Sequence, residues 1–263
     1  MSPRVRQMLE RGGFAVAALV AAWSLKRHYS SATAEELRWI LGPTTELTRL
    51  VVGSDFVFRP SEGYLSRELS ILISPACAGV NFLVVAFLSL TLGFERALVN
   101  WRQRAAWLAA SVVAAYLTTL LVNALRICLS VWLAHLAARV LGLTFQSVHR
   151  LLGIAVYLAG LMALCLTVQV WLRSRMPAAA RASALVCALG CYVGVTLVVP
   201  LLRGAAHSPD YWGHAAPVSV LVGLAGALLF AVKGRTWDDG RHEFRTSEHP
   251  QPEPIAHQSA ARG

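Results

Sequence analysis

The chain alternates long apolar stretches with shorter, more polar connections. Six stretches stand out, and each one after the first approaches the ~20 residues that an α-helix needs to cross ~30 Å of hydrocarbon. They are Gly12–Leu25, Pro75–Phe94, Ala105–Leu125, Val148–Leu172, Ser183–Leu202 and Ala216–Val232. This pattern predicts an all-α fold: a polytopic transmembrane helix bundle of six spans.

The first stretch admits a second interpretation. It is short, and Arg4, Arg6 and Arg11 precede it, as positive residues precede the apolar core of a secretory signal peptide. No convincing small-residue cleavage site follows the segment Trp23–Arg27. This favours a retained span, but cleavage of the first stretch stays an open alternative.

The connection Lys26–Ser74 is the longest one and contains predicted elements of its own. Apolar residues recur among charges over Glu35–Val52, which predicts an amphipathic helix, interrupted at Gly42-Pro43, of the kind that lies in a membrane interface. Two further segments, Asp55–Phe58 and Leu69–Ile73, flank a turn that contains proline and glycine. They predict a short β-hairpin.

Composition and charge define the class and the orientation. Hydrophobic residues make up 56% of the chain and charged residues 14%, whereas soluble domains carry about 25% charged residues. The net charge of +10 would favour nucleic-acid binding in a soluble protein, but here basic residues cluster in every second connection. Because positive loops stay cytoplasmic, both termini are predicted to be cytoplasmic, with no nucleic-acid partner. The segments 26–74, 134–147 and 203–215 are then predicted to face outward.

These considerations predict two parts of the chain. Residues 1–233 form one integral membrane domain, in which residues 26–74 are an extracytoplasmic loop. Residues 234–263 are polar, contain three prolines and show no hydrophobic periodicity. We therefore expect this segment to be a disordered cytoplasmic tail.

Cys77 is the first candidate for chemistry. Ser74 and Pro75 are typical of a helix start, which places Cys77 in the first turn of the second span, where backbone N–H groups and the helix dipole favour a thiolate. Cysteine in an apolar segment is more often a small buried hydrophobe. We expect that simpler role for the other four cysteines: Cys128, Cys165, Cys187 and Cys191.

Two more candidates lie at predicted outer span ends. Asn123 and Arg126 are three residues apart on one helix face, and an arginine in an apolar run is costly unless it has a partner or snorkels to the interface. His149 lies at the start of the fourth span, where a lone histidine is usually structural. However, Cys77, Arg126 and His149 are predicted at the same depth on the same side. A thiol, a base and a cation together suit nucleophilic catalysis.

The motifs that carry these residues resemble those of the exosortase/archaeosortase family of multipass membrane transpeptidases. They are Pro75-Ala76-Cys77-Ala78-Gly79-Val80, Asn123-x-x-Arg126-Ile127 and His149. The resemblance covers about Gly63 to Leu172, and Ala78 departs from the serine that is common in that family. Proteins of this family cleave a C-terminal sorting signal from exported proteins. The signal consists of a short motif such as Pro-Glu-Pro, a transmembrane helix and a basic cluster.

The resemblance implies a function and a site. Cys77 would be the nucleophile that forms a thioester, Arg126 would stabilise the thiolate or the oxyanion, and His149 would be the general acid and base. Asn123 and Gly79 would support them, and neither a metal nor an organic cofactor would be needed. The implied location is the inner (cytoplasmic) membrane, with the site facing the periplasm or exterior. The implied partners are exported substrate proteins, the lipid bilayer and envelope or exopolysaccharide assembly proteins.

Three alternatives remain open. The chain could be a polytopic transporter or channel in which Arg126 and His149 line a path, although its spans show no paired repeat and no midplane charge. It could be a thiol oxidoreductase, but the pair Cys187-x-x-x-Cys191 lies within a span. It could also be a scaffold for envelope polymer assembly.

Overall fold

The computed structural model describes residues 2–141 and 144–247. Within those residues the chain forms eight α-helices and one small sheet. The helices are α1 (Pro3–Tyr29), α2 (Arg38–Val52), α3 (Val80–Gly93), α4 (Trp101–Leu141), α5 (Phe145–Trp171), α6 (Ala178–Val193), α7 (Val199–Leu202) and α8 (Pro209–Ser247). The strands are β1 (Val57–Arg59), β2 (Gly63–Ser66) and β3 (Ile71–Ile73).

Six helical segments of the described chain are long and apolar enough to cross a membrane. They are Gln7–Tyr29, Pro75–Ala97, Trp101–Leu133, Ser147–Trp171, Ala178–Leu202 and Asp210–Ala231. This confirms the predicted polytopic helical bundle. The first segment has 23 residues, so it is longer than the apolar stretch from which it was predicted.

Helix α3 is the most buried of the spanning helices. In the most apolar stretch of its span, 83% of the residues are buried, whereas this share is between 11% and 28% in the other spans. α3 packs against α1, α4, α5 and α6. Small residues allow the close approach of α6, because a Cβ added at Gly93 would lie 3.3 Å from the Ala184 carbonyl oxygen. The other spans leave large apolar side chains exposed, as contact with lipid requires.

Helix α4 is longer than the predicted third span. It has 41 residues, which corresponds to about 60 Å at 1.5 Å per residue. No glycine or proline occurs between Trp101 and Leu141, so no helix-breaking residue interrupts it before Gly142. The predicted outward connection 134–147 is therefore helical up to Leu141, and residues 142 and 143 lie outside the described residues.

Helix α2 does not break at Gly42-Pro43, and that detail of the prediction was wrong. The helix continues through Pro43, which has no N–H to donate to the carbonyl of Trp39. The Tyr116 hydroxyl of α4 donates a hydrogen bond of 2.7 Å to that carbonyl. The Trp39 and Tyr116 rings also stack, with centroids 5.8 Å apart. A side chain of a neighbouring helix thus replaces the missing backbone bond.

The face of α2 that packs against α4 is more polar than predicted. Ile40 and Leu41 are buried as expected, but Leu50 and Val51 are 72% and 55% exposed. Threonines take part of the buried face instead. The Thr45 hydroxyl is satisfied there because it donates to the Leu41 carbonyl at 2.8 Å. The exposed leucine and valine leave α2 an apolar outer face, and its place in the membrane interface stays a prediction.

The segment after α2 forms a sheet of three strands rather than the predicted hairpin of two. The strand order is β1-β2-β3, with both pairs antiparallel. The two predicted strands overlap β1 and β3, which lie at the edges and do not pair with each other. The central strand, β2, was missed because Gly63-Tyr64-Leu65-Ser66 lacks the β-branched residues that mark strands. Gly63 is required there, because a Cβ at its φ of 118° would overlap the Ile73 carbonyl oxygen.

Arg104 directly precedes the predicted third stretch and belongs to one of the basic connections, but its side chain is buried in the structure. Only 3% of the residue is exposed, and its guanidinium pairs with Glu10 of α1 at 3.0 Å and with Glu95 at 4.0 Å. Arg11 pairs with the same Glu95 at 3.6 Å. This cluster ties α1 to the start of α4, so these basic residues have a packing role besides any effect on topology.

The C-terminal helix extends beyond the predicted last span. Contacts divide the chain into two compact units, Met1–Val222 and Gly223–Gly263, and the second unit contains the later part of α8. This helix runs to Ser247, so residues 234–247 are helical where a disordered tail was expected. No proline occurs between Pro217 and Pro250 to stop the helix. The rest of the predicted tail, 248–263, lies outside the described residues.

Candidate functional site

Cys77 lies in a 3₁₀ turn just ahead of helix α3. The turn spans Pro75–Cys77, and the Cys77 N–H donates to the Ser74 carbonyl at 2.8 Å. Gly79 then takes a φ of 72°, and the helix begins at Val80. Cys77 is therefore not in the first α-helical turn, as predicted, and the Ser74 side chain makes no cap hydrogen bond. The Ser74 hydroxyl instead donates towards the half-buried Cys77 sulfur at 4.0 Å.

Asn123 of α4 holds this turn in place. Its Nδ2 donates a hydrogen bond of 2.6 Å to the Cys77 carbonyl, and the residue is fully buried. The contact depends on Gly79, because an added Cβ would lie 3.2 Å from Cγ and Nδ2 of Asn123 and from Cγ2 of Thr119. A side chain at Gly79 would also be strained at its positive φ. The structure thus brings Asn123 and Gly79, the predicted supporting residues, next to Cys77.

Arg126, His149 and Ser130 form a closed ring of hydrogen bonds. Arg126 Nη2 lies 2.8 Å from His149 Nε2, and a guanidinium can only donate. Nε2 must therefore accept, which leaves the imidazole neutral with its proton on Nδ1. Nδ1 then donates to the Ser130 hydroxyl at 2.9 Å, and that hydroxyl donates to the Arg126 carbonyl at 2.8 Å. The ring fixes both the tautomer and the orientation of His149.

Tyr157 of α5 joins this ring to the cysteine turn. Its hydroxyl accepts from Arg126 Nη1 at 3.1 Å and donates to Asn123 Oδ1 at 2.7 Å. The Tyr157 ring stacks on Phe82 with a centroid distance of 5.0 Å, and the guanidinium carbon of Arg126 lies 5.1 Å from its centroid. A continuous network therefore runs from the Cys77 carbonyl through Asn123, Tyr157 and Arg126 to His149.

A glycine makes room for the arginine against α5. A Cβ added at Gly153 would lie 2.7 Å from Arg126 Nε and 3.2 Å from Cζ. The guanidinium therefore lies flat on the backbone of the helix that also carries His149 and Tyr157. Among the described residues, Nε of Arg126 is buried without a hydrogen-bond partner.

Cys77 and His149 line the same cavity, which has a volume of about 230 Å³. Ser130 and the apolar side chains of Ile127 and Val131 line it as well, and strand β3 with Ser70 forms a further part of the lining. The three residues predicted to be catalytic are thus brought together from three spans. Within the described part of the chain, Arg126 makes no hydrogen bond to the Cys77 sulfur. Its direct partners in the network are His149 and Tyr157.

Tyr157 and Ser130 belong to the network but were not among the predicted site residues. Ser130 follows Asn123 by seven residues and Arg126 by four, so the three share one face of α4. Tyr157 follows His149 by eight residues, close to two helical turns, and is a polar group within an apolar run. Both spacings can be found in the sequence by searching the same helix faces for polar residues that could bond to a buried Arg126.

The first span also reaches the site, which the sequence did not indicate. The Tyr29 hydroxyl of α1 donates to the Pro75 carbonyl at 3.3 Å, within the turn that carries Cys77. One helical turn earlier, the Lys26 ammonium donates to Asn81 Oδ1 at the start of α3. Two polar contacts thus fasten the end of α1 beside the candidate nucleophile.

The remaining cysteines do not line the cavity that contains Cys77 and His149. All five are free thiols, with Cys128 and Cys165 buried and Cys187 and Cys191 half-buried. In the described residues, no group of three or more His, Cys, Asp and Glu side chains is arranged to hold a metal ion.

Comparison of the chain with protein-family models, with curated proteins and with solved structures finds no match.

Proposed function

We propose that this protein is a membrane-embedded cysteine protease or transpeptidase that cleaves a C-terminal sorting signal from exported proteins. The observation that carries the proposal is the shared cavity of Cys77 and His149, with Arg126 bonded to His149. These residues come from three separate spans, and the motifs around them resemble those of the exosortase/archaeosortase family. A transporter or channel would not require a thiol to share a cavity with an imidazole.

The proposed reaction begins at the Cys77 sulfur. The sulfur attacks the carbonyl carbon of a substrate peptide bond, and the thiol proton passes through His149 to the leaving amine as the C–N bond breaks. The product is a thioester between Cys77 and the retained part of the substrate. Attack by water or by an acceptor amine then breaks the thioester and restores the thiol, so no redox partner is required.

Arg126 has two tasks in this scheme. In the resting arrangement it occupies Nε2 of His149, so the imidazole can accept the thiol proton only after the guanidinium has moved away from that nitrogen. Once released, the cation can turn to the developing negative charge on the thiolate or oxyanion and stabilise it by donating hydrogen bonds. Tyr157 keeps hold of Arg126 during this movement.

The proposal includes an orientation. The resemblance implies the inner membrane, and the basic connections favour both termini in the cytoplasm, so that the site faces the periplasm or exterior. The proposed partners are exported proteins with a C-terminal motif, a transmembrane helix and a basic cluster, together with envelope assembly proteins. Labelling with a membrane-impermeant thiol reagent tests the orientation: we expect Cys77 to react from the outer side, and reaction from the cytoplasmic side alone would contradict it.

Co-expression with a reporter protein that ends in such a sorting signal tests the function. We expect wild type to shorten the reporter and Cys77→Ala, Arg126→Ala and His149→Ala to leave it intact. Cys187→Ala is the matched control, because it removes a half-buried thiol outside the site and should retain processing. Normal shortening by Cys77→Ala would exclude the proposed chemistry.

A further inference from the structure

One part of the lining of the candidate cavity is the free edge of a β-sheet. Strand β3 is the last in the order β1-β2-β3 and pairs with β2 along one side. Ile71, Leu72 and Ile73 of β3 all line the cavity that also contains Cys77 and His149. In the described chain these three residues make no backbone hydrogen bond other than those to β2. The main-chain groups that β3 directs away from β2 therefore have no backbone hydrogen-bond partner, and Leu72 at the centre of the strand is exposed, whereas Ile73 is buried.

Two features indicate that this edge serves a ligand. Ser70, the residue before β3, adopts a φ of 52° and also lines the cavity, and a non-glycine residue in this strained region is found preferentially at functional sites. Leu72 is 41% exposed, although an exposed apolar edge strand is a liability that proteins normally cover. Ile127 and Val131 of α4 add further apolar lining.

We propose that the substrate polypeptide binds in an extended conformation as a fourth strand along β3, with its scissile carbonyl beside Cys77. This inference rests on the proposed function and specifies how that site holds its substrate. Strand addition supplies main-chain hydrogen bonds whatever the sequence, and side chains at alternate positions provide the selectivity. The ligand class is thus a peptide segment with apolar side chains at every second position, which face Ile127 and Val131. Such a segment also covers the exposed edge.

Disulfide cross-linking tests the register of this strand. Leu72→Cys is combined with Cys77→Ala, so that the reporter binds without being cleaved. Single cysteines are placed one by one along the reporter segment that precedes its transmembrane helix. Directly opposed residues in neighbouring strands lie ~4.5–5.5 Å apart, within the range that a disulfide bridges. We expect one strongly cross-linked position, weaker bands two residues away on either side, and none at the positions between.

Val57→Cys in the same background is the matched control. Val57 is 65% exposed on β1, the opposite edge of the same sheet, and does not line the cavity. It should give no cross-link. The strand proposal is overturned if wild type processes the reporter but Leu72→Cys gives no cross-link. Cross-links of equal strength at adjacent reporter positions, or cross-links that recur every three to four residues, would overturn it as well. In each of these cases the proposed function stands. If the two-residue pattern forms with a reporter that wild type does not cleave, the peptide groove stands and the proposed function fails.

Discussion

Replacing Gly153 with alanine tests whether the position of Arg126 matters. The added Cβ would lie 2.7 Å from Nε, 3.2 Å from Cζ and 3.3 Å from Nη2 of Arg126, whereas non-bonded heavy atoms prefer about 3.5–4.0 Å. The guanidinium must therefore retreat by about 1 Å to reach that separation. Nη2 of the same guanidinium lies 2.8 Å from His149 Nε2, so displacing the group strains or breaks this hydrogen bond.

The expected effect is larger on activity than on stability. A misplacement of ~1 Å in a catalytic constellation can cost about 100-fold in rate, so we expect Gly153→Ala to slow reporter processing by roughly 10- to 100-fold. Alanine gains about 0.5–1 kcal/mol over glycine in a helix, which offsets part of the ~1–3 kcal/mol cost of overpacking. The variant should therefore fold and remain in the membrane.

Two other glycines supply controls. Gly190 in α6 has no atom within 4 Å of an added Cβ, so Gly190→Ala gives the gain in helix preference without a clash. Gly160→Ala places a Cβ 2.7 Å from Val122, which matches the clash at Gly153 but involves an apolar contact between α5 and α4. We expect both variants to process the reporter close to the wild-type rate.

The measurement is the rate of reporter shortening at equal enzyme abundance, with thermal unfolding in detergent as the readout of stability. Wild-type processing by Gly153→Ala, in a system where Arg126→Ala is inactive, would show that neither the resting position of the guanidinium nor the space it needs to pivot on Tyr157 matters for the proposed reaction. An equal loss in Gly160→Ala would show that general packing between the two helices is responsible.

Three further substitutions test the network and the fold. Tyr157→Phe removes the hydroxyl that bridges two buried polar groups, so we expect slower processing and a loss of about 1–3 kcal/mol in unfolding free energy. Tyr192→Phe is the control: it removes one longer hydrogen bond of 3.3 Å and should lower the processing rate and the unfolding free energy less. Ser130→Ala removes the acceptor for Nδ1 of His149, and we expect slower processing with little change in melting temperature; wild-type processing would contradict a positioning role. Tyr116→Phe removes the hydroxyl that donates to the Trp39 carbonyl, which Pro43 leaves without a backbone donor. This variant should have a lower melting temperature but an unchanged processing rate.

The spans and the meeting of the candidate residues follow from simple rules. Apolar length identifies each crossing helix, and charge asymmetry places Cys77, Arg126 and His149 at the same predicted end of their spans. Helices that connect in antiparallel order bring those ends together, so the sequence alone suffices to expect a common site. Asn123 is recognisable for the same reason, since it lies three residues before Arg126 on one face.

The details that were missed depend on contacts distant in the sequence. The Tyr116 hydroxyl donates to the carbonyl of Trp39 and so replaces the backbone hydrogen bond that Pro43 cannot make in α2. The helix propensities of the residues around Pro43 do not depend on that distant side chain. β2 forms because partners on both sides complete it, although it begins with a glycine and contains no β-branched residue. Cys77 lies ahead of the helix rather than in it because Gly79 turns the chain, which the Ser-Pro signal does not indicate.

An arginine within a span is costly unless its donors are satisfied without water. Arg126 meets this condition at Nη1 and Nη2, which donate to Tyr157 and His149, whereas its Nε is buried without a partner among the described residues. The same contacts constrain the chemistry. Protonation of Nε2 while the guanidinium still lies 2.8 Å away would place two cations side by side, and like charges at that distance repel strongly in a medium of low polarity. In the proposed reaction, Arg126 therefore moves off Nε2 before His149 accepts the thiol proton. Because Tyr157 holds the other nitrogen, and Gly153 places no side chain in the way, the guanidinium can pivot on the tyrosine without losing all of its partners. The arrangement that stabilises the charge at rest thus also leaves one hydrogen bond that the proposed reaction can release.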